Sequence, residues 1–212
     1  AGLSKAGVTP IVHTIAPFII ERSLEQLKLD YGYHKLNGNI ITVGGTFDYS
    51  ALGSTHHCYD DISIIKTIQN TEIFYPGSKK ELDLLLKNNY KNKLLSFFKL
   101  PKKGHSYSFT SKQINSNKGI FVNKGNKITI ICVSTLLDNC AVVVKKLNLD
   151  ADLIYLPKVY PIEISSILKS IKKTQKLFIL QDTQEHGGII TIILSQLSKI
   201  NALKNIAVGY KG

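Results

Sequence analysis

The thirty residues Asn39–Ile68, NIITVGGTFDYSALGSTHHCYDDISIIKTI, decide the fold because they read as one strand–loop–helix unit. Asn39–Val43 is an apolar run of strand length, and Gly44, Gly45 and Gly53 let the following backbone bend irregularly. Asp60 or Asp61 stands where it can cap a helix over Ile62–Ile68. Between strand and helix, Phe47–Asp61 crowds imidazoles, carboxylates, phenols and a thiol into one loop. A helix N-terminus disfavours protonation of a nearby imidazole, and neutral imidazole accepts protons near pH 7. His56 and His57 are therefore candidate proton carriers. For an isolated His-His pair, hydrogen bonding within the loop is the competing reading. No metal site is assigned, since adjacent histidines on extended backbone point apart and no spaced Cys or His pair supplies a second half-site.

Outward from this unit the same alternation continues. Strand-like runs fall at Ile11–Ile15, Ile40–Val43, Glu72–Tyr75, Tyr107–Phe109, Ile128–Val133, Leu153–Leu156, Leu177–Leu180 and Ile206–Val208, most of them separated by helical patterns. Pro17 opens a helix whose core face is Ile20, Leu24 and Leu27, with Phe18, Arg22 and Glu25 on a second face. Ser78 with Glu81, and Thr135 with Asp138, have the spacing of capping boxes. The Asn-, Lys- and Gly-rich stretch Gln113–Asn126 divides two such blocks. The expectation is an α/β protein of two successive three-layer α/β domains with mainly parallel sheets: residues 1–114, incomplete at the start, a linker 115–126, and 127–212.

Composition narrows the function classes. With 212 residues, 43% hydrophobic and 20% charged, the chain can bury one large core or two modest ones and is not a disordered tail. The three cysteines, Cys58, Cys132 and Cys140, are too few for a disulfide framework, and no apolar stretch is long enough to span a bilayer. The expected compartment is the cytoplasm, with no membrane partner. The net charge of +12 invites a nucleic-acid reading, but Arg22 is the single arginine among 27 basic residues, so bidentate recognition of bases or phosphates is nearly absent. Lys87–Lys103, with six lysines and no carboxylate, reads as a solvated helix end and loop. No nucleic-acid partner is assigned, although a basic RNA-binding module is the alternative from another class. The chain has no methionine and opens on what looks like the end of a helix, so a segment upstream is expected.

Neither a Ser-His-Asp order, a Walker A loop nor a GxGxxG fingerprint occurs. Gly187-Gly188 reads as a place where helix and strand approach closely. The positive signal is a series of short matches in order. Ala1-Gly2-Leu3-Ser4-Lys5-Ala6-Gly7 with Thr9-Pro10-Ile11-Val12, then Pro17-Phe18 through Arg22-Ser23-Leu24-Glu25-Gln26-Leu27, Gly53-Ser54-Thr55-His56-His57, Ile68-Gln69-Asn70 and Tyr75-Pro76-Gly77 resemble the pyrimidine-binding domain of the transketolase family of thiamine diphosphate enzymes. Ile130–Ser134, Leu156–Ile162 and Gln181-Asp182 with Gly187-Gly188 are similar to that family's C-terminal domain.

The resemblance implies a transketolase-like transferase moving a two-carbon ketol unit between a sugar or sugar phosphate donor and an aldose acceptor. It places Phe18, Arg22 and Leu24 at the cofactor, Leu24 replacing an aromatic. His56 would face the reacting carbon and substrate, with His57 beside it; Asp48 and Lys112 are candidates for substrate contact. The family's pyrimidine-contacting glutamate would fall ahead of Ala1, and Thr183 stands where the second domain usually has histidine. The magnesium-binding diphosphate domain is not matched, so magnesium ligands are expected from a partner: an N-terminal, diphosphate-binding subunit in a homodimer or heterotetramer core. A deoxyxylulose-phosphate-synthase-like enzyme, an oxo-acid dehydrogenase β chain and a non-catalytic partner subunit are the alternatives.

Overall fold

The computed structural model describes residues 1–211, in two five-stranded sheets flanked by helices. The first half contains α1 (Gly2–Lys5), β1 (Ile11–Ile15), α2 (Ala16–Ile19), α3 (Leu24–Gln26), a π-helical turn (Leu27–Tyr33) and β2 (Gly38–Val43). It continues through a 3-10 turn (Ser50–Leu52), α4 (Asp61–Ile65), β3 (Thr71–Phe74), α5 (Lys79–Asn89), β4 (Leu95–Leu100) and α6 (Ser111–Asn115). The second half runs β5 (Ile120–Asn123), β6 (Ile128–Cys132), α7 (Leu136–Lys146), β7 (Ala151–Tyr155), β8 (Lys158–Tyr160), α8 (Ser165–Thr174), β9 (Lys176–Leu180), α9 (Ile189–Lys199) and β10 (Ala207–Lys211).

The first sheet has the order β1-β2-β4-β3-β8 and the second β10-β9-β6-β7-β5. All pairings are parallel except β3 with β8 and β5 with β7. The expected α/β class with mainly parallel sheets is observed, and the near-continuous apolar strands follow from sheets covered on both faces. Ile73, Phe74, Phe97 and Phe98 are fully buried on the central strands, with Phe74 and Phe98 stacked at 4.8 Å between centroids.

Three local expectations are corrected. Tyr107–Phe109 is irregular chain, and the strand lies instead at Leu95–Leu100. Its lysines disguise it: Lys93 and Lys102 flank an apolar strand, while Lys99 is buried within it. The linker expected over 115–126 contains β5, which forms the antiparallel edge of the second sheet. The helix expected after Pro17 breaks into α2, α3 and the π-helical turn, although Ile20 and Leu27 still reach the core.

The two halves are not separate bodies. β8, from the second half, pairs with β3 of the first sheet, and one continuous cluster joins Ile40, Ile62 and Phe97 to Ile131, Ile154 and Ile193. A buried polar knot reinforces the junction. Glu81 Oε2 accepts from the Gly77 amide (2.9 Å) and the Tyr155 hydroxyl (2.6 Å), and Glu81 Oε1 lies 2.8 Å from His105 Nε2. Ser78 caps α5 as expected, its Oγ accepting from Glu81 N, but the Glu81 side chain turns to this knot rather than closing the box. Thr135 makes no side-chain cap; Asp138 reaches across to Ser106 instead. Thr110 and Gln113 form the complete capping box.

A second buried carboxylate gives a pH prediction. Asp152 accepts from Gly125 N (2.9 Å) and Ser170 Oγ (2.6 Å) and pairs with Lys173 (2.8 Å). Burial pushes its carboxyl up, but Lys173, Ser170 and the amide outweigh that and hold it below its ordinary value. A depressed folded-state pKa contributes stability above the unfolded value of about 4 that is lost as the pH falls through the folded one. Asp152→Asn should therefore flatten the acid side of the stability profile. Urea midpoints at neutral pH and at about pH 3 check this; an unchanged acid slope in the variant refutes it.

Candidate active site

The loop after β2 and the turn after α2 meet at the C-terminal edge of the first sheet, where parallel strands leave their ends open to a ligand. Gly44 starts the loop with φ +94°, and a Cβ there would stand 2.4 Å from the Tyr49 ring, so only glycine lets Tyr49 fold back. Asp48 Oδ2 then accepts from the amides of Gly45 (2.6 Å) and Lys102 (2.7 Å), fastening this loop to the one that follows β4.

On that frame the distant residues converge. The Arg22 guanidinium lies 4.3 Å from the centre of the half-buried Phe18 ring, a cation–π contact. Phe18 meets His56 edge-on at 5.4 Å, and Tyr49 approaches His56 at 6.1 Å. His56 Nδ1 is engaged by Thr55 Oγ1 at 2.9 Å, and Nε2 makes no hydrogen bond among the described residues. Holding one ring nitrogen orients the other toward whatever occupies the cleft. The Lys102 ammonium sits 3.6 Å from the centre of the Tyr49 ring and donates to the Asp48 carbonyl at 3.1 Å.

His57 points elsewhere. Its ring meets Phe47 edge-on at 5.4 Å, and its Nε2 is buried without a protein partner among the described residues. Asp48 spends one carboxylate oxygen on two backbone amides, which makes it a loop brace. Leu24 is half-buried and packs against the main core. Lys112 is exposed on α6, whereas Lys102 supplies the cation beside Tyr49. Nothing in the sequence separated Lys102 from its five neighbouring lysines; the spacing to the end of β4 was the only available signal.

Beneath the loop lies a buried charge network. Lys99 donates to Thr46 Oγ1 (2.8 Å) and Asp61 Oδ1 (3.0 Å), both ionic side chains fully removed from solvent. Burial works against the Lys99 ammonium, but Asp61 and Asp182 outweigh it and hold its pKa above the ordinary value. Burial likewise pushes the Asp61 carboxyl up, Lys99 opposing. The Tyr75 hydroxyl donates to Asp182 Oδ2 of the second half at 2.5 Å. Burial holds the Cys58 thiol protonated, and Asp61 and Glu21 push the same way. The second half closes over this region: Gln184 N donates to Tyr59 O, and Gly187, at φ +78°, passes within contact of Ser63. The Gly187-Gly188 pair was expected to bring helix and strand together; instead the turn at Gly187 packs against α4.

Residues 117–211 match the family model described as transketolase, C-terminal domain. The transketolase resemblance extends over the rest of the chain. One subunit of the apulose-4-phosphate transketolase of Actinobacillus succinogenes is 26% identical over 95% of this chain and 66% of its own length. The 1-deoxy-D-xylulose-5-phosphate synthase of Clostridium acetobutylicum is 23% identical over all of this chain and 35% of its own. Among solved structures, a split-gene transketolase described as an inactive β4 tetramer superposes with a TM-score of 0.85 at 19% identity, over 99% of this chain and 68% of that one. The chain thus spans about a third to two thirds of the length of the curated relatives it matches. No helix among the described residues is long and apolar enough to cross a membrane.

Proposed function

We propose that this chain is the C-terminal subunit of a transketolase-like, thiamine diphosphate-dependent enzyme that transfers a two-carbon ketol unit from a sugar or sugar phosphate donor to an aldose acceptor. The convergence of Phe18, Arg22 and His56 from separate segments onto one sheet edge carries the reading. A half-buried aromatic ring backed by a guanidinium suits a flat heteroaromatic ring, so these residues fit the pyrimidine end of the cofactor. Glu21, Cys58 and Asp60 come together near Arg22, but a thiol that burial keeps protonated does not suit the all-oxygen shell of magnesium, so diphosphate and magnesium are assigned to an N-terminal, diphosphate-binding partner subunit. When bound, thiamine diphosphate supplies the nucleophilic carbon that adds to the donor carbonyl.

In this mechanism Phe18 packs against the pyrimidine ring and Arg22 holds Phe18 in place. Thr55 fixes the His56 tautomer. His56 Nε2 then takes and returns the hydroxyl protons of donor and acceptor, transfers of the kind worth about 10²–10⁴-fold in rate. Lys102 holds the anionic end of the substrate as a point charge, a weaker grip than a bidentate guanidinium. Asp48 braces the loop through the Gly45 and Lys102 amides, and Leu24 packs against the core.

The match to apulose-4-phosphate transketolase supports the two-chain reading, because the matching relatives are named as subunits of that enzyme. The match to 1-deoxy-D-xylulose-5-phosphate synthase, over all of this chain and 35% of that one, favours one second reading, synthase chemistry at the same residues. The three free cysteines suit a reducing cytoplasm. Mixing this chain with a diphosphate-domain subunit, thiamine diphosphate and magnesium, and screening ketose donors against aldehyde acceptors, tests the proposal. Ketol transfer supports it; turnover of pyruvate with glyceraldehyde phosphate instead supports the synthase reading, and neither activity overturns both. Lys102→Ala should raise KM for a phosphorylated substrate about tenfold or more with kcat nearly unchanged, whereas Lys112→Ala should leave both as they are. Steady-state kinetics on the phosphorylated and dephosphorylated sugar decide the assignment.

A further inference from the structure

The basic run Lys87–Lys103 reads as a solvated surface, yet Lys99 has no exposed side-chain area at all. A wholly buried ammonium is costly unless its partners are fixed in place. Its two partners, Thr46 and Asp61, are the two ends of the loop that carries His56 and His57. Between those ends the only regular structure is the 3-10 turn Ser50–Leu52. Building on the functional reading above, we propose that Lys99 is a positioning residue: its ammonium fastens both ends of the 46–61 loop, and the Tyr75–Asp182 hydrogen bond ties that fastening to the second half of the chain.

Several contacts carry the second part. The Lys99 ammonium lies 5.2 Å from the centre of the Tyr75 ring. A Cβ on Gly45 would sit 3.3 Å from the Tyr75 hydroxyl, so the start of the loop rests directly on Tyr75. The segment that supplies Asp182 also supplies Gln184, whose amide donates to Tyr59 O and whose side chain donates to Ser63 Oγ, both at 2.8 Å. Asp61 Oδ1 accepts from Ile62 N as well, so the loop's far end and the start of α4 share one anchor. A buried ion pair is weak evidence for stability, because apolar side chains of equal volume often serve as well. What it adds is direction at two points separated by fifteen residues of chain, which an apolar contact does not give. Lys99 has no path to substrate and takes no proton in the reaction; it acts through His56.

Hydrogen exchange on the full chain, followed by mass spectrometry, tests this without reference to activity. Lys99→Met leaves an unpaired carboxylate and can fail to fold, so the decisive variant is Lys99→Met with Asp61→Asn, which removes both charges together. In that variant, and in Tyr75→Phe to a smaller extent, peptides covering 44–61 should exchange about tenfold faster or more, while peptides from β6 and β7 keep their wild-type protection. Lys99→Arg should restore part of the protection. Unchanged exchange in 44–61, or an equal rise in every peptide, overturns the proposal. In the assembled enzyme the same variant should lower kcat about tenfold or more with KM for the donor little changed. A fully active His56→Ala enzyme would sink the functional reading, yet the exchange result would stand on its own.

Discussion

Asp61→Ala should lower the unfolding free energy by roughly 3–5 kcal/mol, the usual consequence of breaking one side of a buried ion pair. The physical cause is the partner left behind. Lys99 would be left in a site closed to solvent, with Thr46 Oγ1 as its single strong acceptor among the described residues. Exposed pairs behave otherwise: Lys87–Asp83, on the surface of α5, should be worth less than about 1 kcal/mol when broken. Urea unfolding of Asp61→Ala and Asp83→Ala side by side checks the contrast. The double change Lys99→Met with Asp61→Leu should recover much of the loss, because charge and countercharge leave together. Similar midpoints for Asp61→Ala and wild type would falsify the claim that this pair is desolvated.

On the proposed function, His56→Ala, in an enzyme assembled with a diphosphate-domain subunit, should lower kcat by about 10²–10⁴-fold. Among the described residues, His56 is the imidazole that meets the Phe18 ring edge while its Nε2 makes no hydrogen bond. KM for the donor should move less than kcat, since proton transfer is felt in the transition state more than in binding. His57→Ala should cost far less, because its ring faces Phe47 and its Nε2 is buried in the protein. Thr55→Val separates tautomer control from proton transfer: it should shift the pH profile of kcat while leaving some activity. Equal losses from His56→Ala and His57→Ala would count against this division of labour.

Much of the fold was legible. β1, β2, β3, β6, β7, β9 and β10 follow apolar runs bounded by turn residues, and the order of elements was enough to expect parallel sheets. β4 was missed because charge was read as exposure. Leu95–Lys99 is buried, and the lysine at its end finds a carboxylate from another segment rather than water. β5 was missed because Asn, Lys and Gly around it carry a loop composition, while its pairing partner β7 comes from later in the chain. The break in the Pro17 helix has no signal in the apolar spacing of Ile20, Leu24 and Leu27; the π-helical turn that replaces it keeps Tyr31 and Leu27 in the core.

The candidate site divides along the same line. The roles expected of Phe18, Arg22 and His56 came from the transketolase resemblance, which short segments in order along the chain carry. Residue type and spacing also determined the α/β class, the absence of a disulfide framework and the concentration of reactive groups in Phe47–Asp61. Only the tertiary structure decided which cation stands beside Tyr49, which histidine keeps a free nitrogen, and that Lys99 belongs inside rather than on the surface. These are questions about groups brought together from different segments. The free energy of a buried charge depends on the partner that meets it, and a partner 38 residues away leaves no mark on the local sequence.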